Sequence, residues 1–286
     1  MKLIGGIAGG RFSLLPPRQA FRSPETQSAF TTIELLTVVV VLVIIMALAL
    51  PLVNRAMESG KSAKCVSNLR QLGAALMVYQ ADNQHLIRGD NYAFAYLPET
   101  FTWISALTNY CNLNEVRSCP SARNPGGAEF GNSGGNKWGG RSHAWALQPG
   151  SWMLPTGDPG YSSYGLNMWV RKGLHDEAAE IYRASFGTTR VDDASRIPMI
   201  MDARWEGFWP LSEDAIPPAG SLRNGQKEIP ISDANWRMAE NVAMLRHGNG
   251  INICFLDGSV RPVDVNDLWT FKWNKFYEDR GRVNLR

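Results

Sequence analysis

Paired cysteines, catalytic signatures and an excess of charge are all missing from this chain. Its four cysteines, Cys65, Cys111, Cys119 and Cys254, form no C-x2-C pair and none stands beside a suitably spaced histidine. The linear pattern of a structural zinc site is therefore absent, and no metal or other cofactor is expected. No G-x4-G-K-[ST], H-E-x-x-H, glycine-rich cofactor loop or Ser-His-Asp spacing occurs, so no enzymatic activity is expected. The formal charge of +3 comes wholly from residues 1–29, where Lys2, Arg11, Arg18 and Arg22 face Glu25 alone. From Phe30 onward 25 basic and 25 acidic residues balance, which removes any chain-wide footprint for nucleic acid.

What is present is core-forming material and one long apolar run. With 44% hydrophobic and 10% aromatic residues in 286, the chain has enough to bury one large domain or two small ones. Phe30 to Leu50 reads FTTIELLTVVVVLVIIMALAL, in which Glu34 is the sole charge and which Pro51 closes. About 20 apolar residues at about 1.5 Å each match a hydrocarbon core of roughly 30 Å, so one transmembrane helix is predicted over residues 30–51. The flanking charges, Lys2 to Arg22 on one side and Arg55, Lys61, Lys64 and Arg70 on the other, nearly balance and leave the orientation open. A secretory signal competes with this reading, because Leu35 to Met46 has h-region length and Ala47-Leu48-Ala49 has a small-x-small form.

Glu34 separates the two. A carboxylate within an apolar helix costs up to about 2.5–3.5 kcal/mol at mid-membrane and is usually functional and paired, whereas a signal peptide has no use for one. The alternative role is a side chain that snorkels to the headgroups.

The residues around it, Ser28-Ala29-Phe30-Thr31-Thr32-Ile33-Glu34-Leu35, resemble the cleavage and methylation motif of prepilins, the precursors of type IV pilus and type II secretion filament subunits. The resemblance implies a leader over residues 1–29, removal of it by a prepilin peptidase between Ala29 and Phe30, and methylation of the new amino terminus. It also implies that Glu34, fifth in the mature chain, pairs with the amino terminus of a neighbouring pilin-like subunit. The family commonly has glycine where this chain has Ala29, and leucine where it has Thr32. The implied location is the cytoplasmic (inner) membrane, crossed once with the N-terminus inside and the C-terminal domain periplasmic or extracellular.

Beyond Pro51 the pattern becomes amphipathic over residues 52–85. Cys65, Leu69, Leu72, Leu76 and Tyr79 recur at helical spacing, with Lys64, Asn68, Arg70 and Gln71 assigned to the polar face. Pro51 removes one helical hydrogen bond and is a candidate kink. If the domain lies outside the cytoplasm the cysteines leave three disulfide pairings open. Cys65 with Cys119 is the favoured candidate because it would staple this helix to its domain, and buried free thiols are the alternative.

Residues 86–286 are rich in Gly, Pro and Trp, with short apolar runs between turns, which predicts an antiparallel sheet with long loops. Candidate strands are Ser163–Val170, Ile197–Asp202, Ile251–Leu256 and Ser259–Val263, the last two joined through Asp257-Gly258 with both turn residues at positive φ. A mobile glycine-rich loop is expected over Asn124–Arg141 and a short helix over Arg171–Arg183.

Two motifs here extend the resemblance to a group of pilin-like proteins from planctomycete-type bacteria. His247 with Asp257-Gly258 is similar to that group's H-x9-D-G motif, and the Cys65-x-x-Asn68-Leu69 opening is similar to its post-anchor helix. Cys119-Pro120, Ser163-Tyr164-Gly165-Leu166-Asn167 and Met201-Asp202 match more loosely. Since about nine extended residues span roughly 30 Å, His247 and Asp257 are expected at opposite ends of the hairpin in structural roles. Asp257, Asp264 and Asp267 form a weak calcium candidate without an EF-hand pattern, and Trp205 and Trp209 flanking Glu206 are the candidate binding patch. The whole predicts an α+β, pilin-like fold and a structural subunit of a type II secretion or type IV pilus-related filament. The competing function is a membrane-tethered module that binds carbohydrate or protein.

Overall fold

The computed structural model describes residues 30–83, 102–122, 137–147, 160–170, 184–186, 191–223, 225–229 and 238–286. The leader with Ala29, most of the glycine-rich loop and the helix expected over Arg171–Arg183 lie outside the described residues. The chain divides into two compact units, Met1–Leu50 and Pro51–Arg286.

Helix α1 (Thr32–Asn83) contains Pro51 and does not end there. In the first unit it is apolar and exposed all round, from Ile33 to Leu50. Among the described residues it is the one helix long and apolar enough to cross a membrane. In the second unit α1 is exposed as far as Gly60 and then becomes one-sided. Cys65, Leu69, Leu72 and Leu76 are buried, as their i, i+3, i+4 spacing dictates. Each buried leucine contributes about 1.5–3 kcal/mol of transfer free energy. Asn68, expected on the wet face, is fully buried. It stands three residues after Cys65 and so shares its face, and its amide Nδ2 donates to Ser118 O at 2.9 Å.

The distal unit is built on a mixed five-stranded sheet in the order β5-β3-β4-β6-β7. Its strands are β3 (Tyr164–Asn167), β4 (Pro198–Asp202), β5 (Gly207–Phe208), β6 (Gly250–Phe255) and β7 (Val260–Asp264). A separate pair joins β1 (Trp145–Ala146) and β2 (Tyr161–Ser162). All four anticipated strands are present: β3 and β4 are shorter than expected, β6 and β7 keep their expected lengths but are shifted by one residue, and Met168–Val170 turns into a 3-10 helix.

One pairing departs from the antiparallel expectation: β5 runs parallel to β3. After β4 the chain crosses β3 through Ala203–Glu206 to reach the far edge, so it arrives with the direction of β3. The crossing is tight, because a Cβ on Gly165 would lie 2.5 Å from Trp205 O and 2.6 Å from Ala203 Cβ. No side chain fits at that position.

Every residue of β6 is buried, which follows from core on both sides of the sheet. Cys254 belongs to the core that includes the stripe of α1, and Ile251, Ile253 and Phe255 belong to the core that includes Trp269 and Trp273. The α1 contact is close, since a Cβ on Gly73 would come within 2.6 Å of Cys254 Sγ. The β6–β7 turn also differs from the expected pair of positive φ angles. Gly258 alone is left-handed, at φ 81°, and Gly258 N–H donates to Phe255 O at 2.9 Å. The loop is therefore an ordinary β-turn closed by a left-handed glycine. Asp257 Oδ1 caps it by accepting from Ser259 N–H and Oγ–H at 2.9 and 2.6 Å.

Candidate functional site

Four residues from separate segments of the distal unit meet at one buried place. Cys65 comes from α1, Cys119 from the loop after the short helix α2 (Leu113–Val116), Asp202 from the end of β4 and His247 from the turn before β6. One ligand atom from each lies within 4.8 Å of the other three. Cys65 Sγ is 3.5 Å from both carboxylate oxygens of Asp202. His247 Nε2 is 3.2 Å from Cys119 Sγ and 3.3 Å from Asp202 Oδ2. Cys65, Cys119 and Asp202 are fully buried.

Local chemistry explains each position. Cys119 N–H donates to Ser163 Oγ at 2.6 Å, while Asn68 holds the carbonyl of Ser118. His247 is fixed by reciprocal backbone bonds with Gly250, a reversal that places Gly248 at φ 64°. Asp202 is the anchor of the group. Its Oδ1 accepts from Arg246 Nη1 at 2.9 Å, and its Oδ2 accepts from Asn252 N–H at 2.9 Å. Arg246 also donates to Ser163 O at 2.6 Å, Gly140 O at 2.6 Å and Ala203 O at 3.2 Å, so one buried guanidinium ties four segments together. Further donors reach the sulfurs: Tyr164 O–H to Cys65 Sγ at 3.5 Å and Ser121 N–H to Cys119 Sγ at 3.4 Å.

The electrostatics follow from this geometry. Burial alone would raise the Asp202 pKa, but the Arg246 charge, His247 and the Asn252 amide hold it at about 2. Burial opposes a charged His247 as well, yet hydrogen bonds to Asp202 and Cys119 raise it to about 9. Of the two thiols Cys119 ionises first. Its burial is outweighed by hydrogen bonds from Cys65 and His247 and by the Arg246 charge, which bring it to about 6. Cys65 is pushed up by burial and then by its bond to Cys119.

The sequence-predicted residues distribute unevenly around this centre. Cys65 and Cys119 come together, both as free thiols. His247 joins them at one end of β6, and Asp257-Gly258 forms the turn at the other. Asp202, Arg246 and Tyr164 carry the site with them and are absent from the sequence-predicted site residues. The loose Ser-Tyr-Gly-Leu-Asn and Met-Asp likeness marks Tyr164 and Asp202, and nothing in the sequence marks Arg246. The expectation of no metal rested on linear spacing, which is blind to ligands drawn from separate elements.

Other candidates are corrected. Trp205 is buried against Trp138 and Trp145, with ring centroids 5.0 and 6.1 Å away, Glu206 is buried beside it and Trp209 is half-buried against the same core, so Trp205 and Glu206 are core and present no open binding patch. Within the expected mobile loop, Lys137–Arg141 is built in. Lys137 pairs with Ala146, and the carbonyls of Gly139 and Gly140 accept from the buried Arg204 and Arg246. The calcium candidates are engaged elsewhere: Asp267 by Arg282, and Asp264 by Arg286 at 2.6 Å.

At the head of α1, Glu34 closes a capping box. Its Oε2 accepts from Thr31 N–H and Oγ–H at 2.8 and 2.7 Å, and Thr31 Oγ accepts from Glu34 N–H at 3.3 Å. The T-x-x-E pattern Thr31-Thr32-Ile33-Glu34 is the sequence signal of this cap. Comparison with protein-family models, curated proteins and solved structures returns no match to this chain.

Proposed function

We propose that the chain is a pilin-like structural subunit of a type II secretion or type IV pilus-related filament, cut by a prepilin peptidase before Phe30 and anchored by the first half of α1. The observation supporting this reading is the change of character along one helix. From Ile33 to Leu50 the apolar side chains are exposed on every face, and beyond Gly60 one stripe is buried in a domain that has its own two-sided core. Water does not tolerate the first half, and lipid or the like helices of neighbouring subunits do. The domain then stands outside the cytoplasm, and its work is assembly and not catalysis.

Glu34 has two tasks in this account. Both capping bonds fall on Oε2, and the second oxygen serves the methylated amino terminus of the adjoining subunit. A low-dielectric surround makes that charge pair far stronger than it is in water. Glu34→Gln keeps the shape and removes the charge. It is expected to leave the membrane-bound amount unchanged while cross-linked or sedimented filament falls at least about tenfold, the equivalent of about 1.4 kcal/mol per contact. Thr31→Val, which deletes only the hydroxyl of the cap, is expected to leave assembly intact. Equal losses in both variants would reduce Glu34 to a helix cap.

A further inference from the structure

We propose that Cys65, Cys119, Asp202 and His247 form a four-ligand site for a divalent zinc-like ion that fastens α1 to the sheet. The inference concerns the distal unit alone and stands whether or not the chain builds filaments.

The donor set comes first. Two thiolate sulfurs, one imidazole nitrogen and one carboxylate oxygen are a mixture favouring a borderline divalent ion in tetrahedral coordination over the oxygen-only preference of calcium or magnesium. The spacing comes second. An ion about 2.3 Å from sulfur and about 2.0 Å from nitrogen or oxygen holds its ligand atoms within about 4 Å of one another. The four atoms already lie within 4.8 Å, so closing on an ion requires side-chain shifts of roughly 1 Å or less.

The surroundings agree with the ligands. Arg246 and the Asn252 N–H hold the carboxylate of Asp202, and Tyr164 O–H and Ser121 N–H point at the two sulfurs. Outer partners of this kind orient and tune metal ligands. Charge closes as well: two thiolates, one carboxylate and one guanidinium are cancelled by a divalent cation with His247 neutral. That balance matters because Asp202 and Arg246 have no exposed surface at all. On binding, the Cys65, Cys119 and His247 group gives up two protons to the solvent, so that both sulfurs are thiolates and His247 is neutral; two S–metal bonds then form, with no change of oxidation state.

A Cys65–Cys119 disulfide is the rival use of the same sulfurs. It would join two of the four residues and would not account for Asp202 and His247 each placing a ligand atom within 4.8 Å of both sulfurs, so convergence of all four favours the ion.

The test uses the full chain extracted in detergent under reducing conditions, dialysed against zinc and then freed of excess. Elemental analysis is expected to find about one zinc per chain. Replacement with cobalt is expected to give thiolate-to-cobalt charge transfer and the intense visible bands of a tetrahedral site. Cys65 and Cys119 are expected to resist alkylation until a chelator is added. His247→Gln and Cys119→Ser are each expected to lower retained zinc at least tenfold, with thermal unfolding of the zinc-free proteins showing that both variants fold. The proposal is overturned if the wild-type chain holds no zinc, or if both variants keep it. It is equally overturned if protein isolated without reductant has lost two hydrogens through a Cys65–Cys119 bond and takes up no metal after reduction.

Discussion

Arg246→Met is expected to destabilise the distal domain by about 3–5 kcal/mol, the usual result of removing one member of a fully buried ion pair. The cost does not measure the worth of the pair. It is the cost of leaving the Asp202 carboxylate charged and without its cation, and of stripping a donor from the carbonyls of Ser163, Gly140 and Ala203. For a domain of this size each kcal/mol lowers the midpoint by about 2–4 °C, so thermal unfolding should shift down by roughly 10 °C. The double variant Arg246→Met with Asp202→Leu is expected to recover part of that loss, because an apolar pair removes the uncompensated charge. A single variant as stable as the parent would mean that the guanidinium is not the tie between these segments.

Val40→Arg combined with Ile44→Arg is expected to move the protein from the membrane to the soluble fraction. The two residues lie one turn apart, both exposed, at 50% and 54%, so neither change touches a packed core. Near the centre of a span each arginine costs about 2.5–3.5 kcal/mol, together about 5–7 kcal/mol. Alkaline extraction of membranes followed by thermal unfolding of the released protein reads both halves of the expectation: release from the pellet and an unchanged domain midpoint. Retention in the extracted pellet would contradict an anchor at this position.

The sequence made some elements plain because their periodicity is local. The stripe from Cys65 to Leu76 and the alternation Ile251, Ile253, Phe255 each announce their structure within one turn or one strand, and Asp257-Gly258 marks the reversal between β6 and β7. Neither polarity nor a loop-like pattern determines exposure in this fold. Asn68 is polar and buried because a carbonyl awaits its amide, and Trp205 lies in an irregular connection that happens to cross β3 over Gly165. The parallel pairing of β5 was hidden by its two-residue length and by a crossover that nothing local specifies.

The buried cluster was the least legible feature. Cys65 and Asp202 stand 137 residues apart, and Cys119 and His247 stand 128 apart. Only the fold makes them neighbours, and a spacing rule written for adjacent ligands returns nothing. The two ends of the H-x9-D-G motif lie at opposite ends of β6, as the spacing predicts, and serve different places. Asp257 and Gly258 shape a turn, and His247 faces the thiols and Asp202.

The mature amino terminus of protein extracted from membranes is the most direct test of the anchored-subunit account. Intact mass and N-terminal sequencing are predicted to give a chain beginning at methylated Phe30. A chain beginning at Leu50, or one still carrying Met1, would contradict it.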